Sequence, residues 1–182
     1  MVLAIAYAPV AVRTRLSWLL ALDRRLADVL IRASEPMIAQ LRLSWWRDAF
    51  NTASDKRPKG EPLLKALNEI GSDDVTVSAG LALIDAYEVL ATSADAHEQE
   101  AARRQRIFAL CGSYASWIGI SETHKPQIDL IVGYWAEQDE TLPNGLPRIL
   151  RSLSILALAE KMESSQIQTS ALRLNWHALT GR

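Results

Sequence analysis

Along most of the chain, apolar residues recur every three or four positions, the spacing that gathers them on one side of an α-helix. The densest case is Ser34 to Phe50, SEPMIAQLRLSWWRDAF. Ser34 can cap it and Pro36 falls in the first turn, where a missing N–H costs nothing. At about 100° per residue, Leu41, Trp45, Ile38, Ala49, Trp46, Phe50 and Leu43 cover more than half of the circumference. An apolar arc that wide predicts a helix packed on more than one side. Arg42 falls inside the arc, between Ala49 and Trp46, and a buried guanidinium requires a carboxylate. The preceding helix, predicted over Val10 to Ala33, has a stripe of Leu16, Leu19, Leu20, Leu26, Ala27, Leu30 and Ile31, with Asp23 within it. The pattern therefore predicts a buried Asp23–Arg42 ion pair between antiparallel helices, more a scaffold feature than a catalytic one.

Further segments follow the same period. Asp55 to Pro62 is a charged loop broken by Pro and Gly, and Leu63 to Ile70 a short helix ended by Gly71. Ser72, Asp73 and Asp74 offer caps for a helix through Leu90, apolar almost all round except for a stripe of Ser78, Asp85 and Glu88. That stripe either lines a cavity or faces water. Asp95 to Ile118 is another helix, acidic at its start and basic later, which suits the helix dipole. A helix through about Glu140, the irregular LPNGLP (Leu142 to Pro147), a helix over Arg148 to Met162 and a last one within Ser170 to Arg182 complete the chain. No strand-like alternation persists and no repeat appears. The expectation is an all-α bundle forming one domain over residues 1–182.

Charge narrows the partners. A net charge of −1 and a pI near 6.3 give no bulk attraction to nucleic acid. The single cysteine, Cys111, excludes an internal disulfide, and its apolar neighbours predict a buried thiol. The opening Val2 to Val12 is apolar but lacks a basic start and is too short to span a bilayer, so no transmembrane segment is expected. The expected location is the cytoplasm, with peripheral attachment to the inner membrane as the other location considered. There is no Gly-rich phosphate loop and no H-E-x-x-H, and His97, His124 and His177 lie in separate segments. Motif logic stops at a helical bundle with a buried acid–base pair.

The run LLALDRRLADVLIRASEPMIAQLRLSWWRDAF, Leu19 to Phe50, closely resembles the N-terminal signature of the squalene/phytoene synthase family. The match is specific over those residues and looser from Leu63 to Gly119. The resemblance implies the all-α isoprenoid (terpenoid) synthase fold, here shortened at the C-terminus. Active relatives join two prenyl diphosphates head to head and hold them through Mg²⁺ on two Asp-rich motifs. A diphosphate departs readily only when divalent cations neutralise it, and Mg²⁺ requires clustered carboxylates. The first motif, D-D-x-x-D, corresponds here to Ala27-Asp28-Val29-Leu30-Ile31, in which Asp28 alone is acidic. Where the second should follow Gly133, the chain offers only Asp139 and Glu140 before LPNGLP.

The resemblance thus implies a degenerate member without condensation activity, a lipid- or partner-binding or assembly factor; the family branch that assists assembly of respiratory complex I also lacks the aspartates. The alternative is an active Mg²⁺-dependent prenyl-diphosphate transferase using Asp28, Asp85 and Glu88, with Asp28 as the candidate metal ligand. No cofactor is expected for the first reading and Mg²⁺ for the second. Arg24, Arg25 and Arg32, on the face of Asp28, are the candidate anion site, with a solvated helix face as the plainer reading. Trp45 and Trp46 are expected in the core, and Arg47 with Asp48 in a surface pair. Candidate partners are a prenyl diphosphate or other lipid, another protein or a second copy of the chain.

Overall fold

The computed structural model describes residues 2–120, 122–136, 141–142 and 144–164. Among these residues there are eight α-helices, three short 3₁₀ turns and no strand. The helices are α1 (Val2–Tyr7), α2 (Arg13–Arg32), α3 (Pro36–Asn51), α4 (Pro62–Ile70), α5 (Asp74–Thr92), α6 (Ala96–Trp117), α7 (Lys125–Trp135) and α8 (Arg151–Ser164). The bundle is all-α, as the periodicity predicts. The short helix α1 and the end of α7 at Trp135 were not foreseen. The last predicted helix, Ser170 to Arg182, and the pair Asp139 and Glu140 lie outside the described residues. The chain divides into two compact units, one of residues 1–13 and 114–182, the other Thr14–Ser113.

In the second unit α3 packs along α5. The buried side of α3 is Ala39, Leu43, Trp46, Ala49 and Phe50. Phe50 meets Trp18 of α2 with ring centroids 6.0 Å apart, and Trp46 at 6.3 Å. Its ring edge lies where a Cβ on Gly80 of α5 would be, so only glycine lets the two helices approach this closely. Trp18 Nε1 donates to the Leu63 carbonyl at 3.0 Å, tying α2 to α4. Between α3 and α4 the buried Arg57 donates to Asn68 Oδ1 at 2.7 Å and to the Phe50 carbonyl at 3.4 Å, closing the exposed C-terminus of α3.

Here the expected ion pair is corrected. Asp23 is buried as predicted, but its base is Arg106 of α6 and not Arg42. Arg106 Nε donates to Asp23 Oδ1 at 2.6 Å and Nη2 to Oδ2 at 2.7 Å, a bidentate fork, while Tyr87 OH of α5 donates to Oδ1 at 2.9 Å. Three helices converge on one carboxylate. Arg42 is exposed, because α3 turns only part of its apolar arc inward. Leu41 and Trp45 also stay exposed, so Trp46 is core and Trp45 is not. On α2 the buried face runs through Leu22, Leu26 and Val29 at the C-terminal end, which leaves Ile31 in solvent.

In the first unit α8 packs on α1 and on α7. Tyr114 is buried, and its hydroxyl donates to the Ile149 carbonyl at 2.8 Å. Arg13 donates to the carbonyls of Ala6 and Ala8 at 2.8 Å, satisfying acceptors at the end of α1.

Candidate functional site

The end of α2 and the exposed flank of α3 enclose an open cleft of about 770 Å³ in the second unit. Its apolar wall is Val29, Ile38, Leu41, Trp45 and Trp46. Trp45 stands edge-on to Trp46, centroids 5.3 Å apart, so the buried ring fixes the exposed one. Its charged rim is Arg25, Arg32 and Arg42 against Asp28 and Glu61. The helical period explains the mixture. Arg25, Asp28 and Arg32 follow each other at three- and four-residue steps on one face of α2. Glu61 arrives from the N-terminus of α4, where its carboxylate also accepts from the Leu63 N–H at 3.3 Å. Arg25 Nη2 reaches Glu61 Oε2 at 3.3 Å. Among the described residues Asp28, Arg32 and Arg42 have no hydrogen-bonded or ion-paired partner. The cleft therefore offers two uncommitted guanidinium groups beside an indole wall, a setting suited to an anion that carries an apolar body.

Of the sequence candidates, Asp28, Arg25 and Arg32 meet at this cleft, whereas Arg24 is exposed and not part of its lining. Arg42, assigned from the sequence to a buried pair, is a cleft residue instead. Glu61 was not foreseen, because it sits in a loop read only as charged.

Asp85 and Glu88 do not join Asp28. Arg47 of α3 lies across them, donating through Nε and Nη2 to the two Glu88 oxygens at 3.0 and 2.6 Å and through Nη2 to Asp85. The polar stripe of α5 is thus neither cavity lining nor merely wet, and Arg47 pairs across helices instead of with Asp48. The bonds to Glu88 first, then Asp85, push the Arg47 guanidinium further above its already high ordinary range.

Mg²⁺ takes octahedral oxygen ligands, usually one or two carboxylates with waters and substrate phosphates, and is repelled by nearby cations. Among the described residues no group of three or more His, Cys, Asp or Glu side chains could hold a metal. Asp28 shares the cleft with only one other carboxylate, Glu61, which is paired with Arg25, and Asp85 and Glu88 share the Arg47 guanidinium elsewhere, so these residues do not gather the carboxylate cluster the ion would need.

A family model described as squalene/phytoene synthase matches residues 1–109, more than half of the chain and the whole of the cleft. Neither a curated protein nor a solved structure matches the chain.

Proposed function

The chain belongs to the squalene/phytoene synthase family, and from that premise we propose that it does not condense prenyl diphosphates but holds an anionic lipid in the arginine-rimmed cleft. Its all-α architecture is of the isoprenoid-synthase type expected for that family. The single observation that carries the reading is the chemistry at the first Asp-rich motif. Ala27 and Ile31 are apolar at the positions that the resemblance gives to the first Asp-rich motif, and Arg32 and Arg42, in the cleft with Asp28, have no partner among the described residues. Guanidinium groups can neutralise a phosphate without a metal, but they do not withdraw a diphosphate leaving group as paired Mg²⁺ ions do. Binding without turnover follows, and no Mg²⁺ is required.

Isothermal titration of farnesyl diphosphate into the full chain, with and without Mg²⁺, tests this. The expected result is binding of similar affinity in both conditions, weakened about tenfold or more by Arg32→Ala or Arg42→Ala, with no C–C coupled product. Binding that requires Mg²⁺, accompanied by product, would establish the prenyl-diphosphate transferase in its place. No heat in either condition would reject the lipid ligand and leave an assembly role with a protein partner.

A further inference from the structure

Glu61 is an acid at the rim of a cleft whose uncommitted guanidinium groups suit an anion. It is held there firmly, with its side chain 12% exposed. Its Oε1 accepts from the Leu63 N–H at 3.3 Å, and its backbone carbonyl accepts from the Lys65 N–H at 3.2 Å. Pro62 follows it in the first turn of α4, where a fixed φ suits the helix. The loop before it is pinned where Asn68 Nδ2 donates to the Ser54 carbonyl at 3.0 Å. Arg25, by contrast, is 50% exposed and reaches Glu61 Oε2 through Nη2 at 3.3 Å. The acid is the fixed member of this pair and the guanidinium the one able to leave.

The pair limits how much negative charge the cleft accepts. Arg25, Arg32 and Arg42 line it with Asp28 and Glu61, three cations against two anions, a balance of +1. With Arg25 engaged by Glu61, Arg32 and Arg42 are left for a ligand, and Asp28 lies one helical turn from Arg25 and from Arg32 along α2. A phosphate monoester carries about −1.5 to −2 at neutral pH, which two guanidinium groups match. A second phosphoryl group adds roughly one more charge, and the cation remaining for it in the lining is Arg25. Taking Arg25 leaves the Glu61 carboxylate largely buried with the Leu63 N–H alone, and an unpaired buried carboxylate is costly.

We propose that Glu61 is a specificity residue: by holding Arg25, it makes the cleft select a lipid with a single phosphate over one with a diphosphate. This deepens the lipid-binding reading above and rests on it. The ligand class is then a phosphate monoester on an apolar chain, and farnesyl diphosphate is the weaker of the two ligands.

Glu61 also caps α4, and the test separates the two roles. Glu61→Gln removes the charge but keeps an oxygen that accepts from the Leu63 N–H. Farnesyl monophosphate and farnesyl diphosphate are titrated calorimetrically, without metal, into the full chain and its variants. The unaltered protein should bind the monophosphate about tenfold more tightly. Glu61→Gln frees Arg25 and should tighten the diphosphate about tenfold but the monophosphate about twofold or less. Adding Arg25→Gln to Glu61→Gln should cancel that gain. An unaltered protein that prefers the diphosphate, or a Glu61→Gln variant that leaves the preference unchanged, would overturn the selection and leave Glu61 as a cap. So would a gain that survives the added Arg25→Gln, since Arg25 would then not be the group withheld. Binding of neither ligand by any of the three proteins would overturn the lipid reading itself, and this inference with it.

Discussion

A carboxylate that receives three hydrogen bonds inside a helical unit is stable only while its cation is present. Asp23 has about one tenth of its side chain exposed and Arg106 about one sixth, so neither charge can turn to water when the other is removed. Truncating one partner of such a pair leaves an uncompensated buried charge, typically about 3–5 kcal/mol. Arg106→Ala should therefore lower the urea midpoint by that equivalent, while Arg42→Ala, at an exposed position with no partner among the described residues, should change stability by less than about 0.5 kcal/mol. Equal losses in the two variants would contradict the pairing. Asp23 was legible because an acid stood in a leucine stripe. Its partner was not, since Arg106 closes the run Arg103-Arg104-Gln105-Arg106 that reads as a solvated face. The signal was there: Arg106 is four residues after Ala102 and four before Leu110, both buried. Arg42 drew attention instead because the whole of the predicted apolar arc of α3 was taken to be core.

At the scale of elements, chain punctuation proved more readable than faces. Gly71 ends α4 with φ of 92°, a conformation costly for any side chain. Asp73, read as a cap, accepts from the Thr76 N–H at 2.7 Å at the start of α5, and Arg15 Nη2 meets its other oxygen at 2.6 Å. Hydrogen bonding from Thr76, with the Arg15 charge beside it, holds this carboxyl below its ordinary range. A carboxyl whose folded pKa is depressed contributes stability that is present above its unfolded pKa, about 3.9, and is lost as pH falls through the folded value. Asp73→Ala should cost about 1 kcal/mol at neutral pH, chiefly the lost cap, since the half-exposed pair with Arg15 adds little. Denaturation of the two proteins should converge below about pH 4, and a gap that persists or widens in acid would refute this assignment. The faces were harder. Apolar periodicity reports which side of α3 avoids charge, not which side is covered, so Leu41 and Trp45 were indistinguishable from Leu43, Trp46 and Phe50. That ambiguity is where the cleft was hidden.

For the molecule as a whole, the class of fold was legible because helical period dominates the composition, and the family because Leu19 to Phe50 preserves its wording. The cleft was not, since it depends on which long side chains find partners across helices: Arg47 with Asp85 and Glu88, Arg25 with Glu61, and Arg32 and Arg42 with none among the described residues. One residue gives a readout of how firmly the second unit stays closed. Cys111 is the chain's single cysteine, in the α6 that also supplies Arg106, and it is 1% exposed. Burial pushes its thiol well above the ordinary range, and the thiolate is the reactive form, so native Cys111 is both inaccessible and protonated. Labelling by a disulfide reagent at mildly alkaline pH must then proceed through opening of the unit. For a domain of ordinary stability, that slows the reaction by at least about a thousandfold relative to the unfolded chain. Because the rate follows the population of the open form, Arg106→Ala should accelerate labelling at least about a hundredfold and Arg42→Ala hardly at all. Rapid stoichiometric labelling of the native protein would mean that α6 does not stay packed. The Asp23 fork, which depends on that helix, would then not be the tie that holds the second unit together.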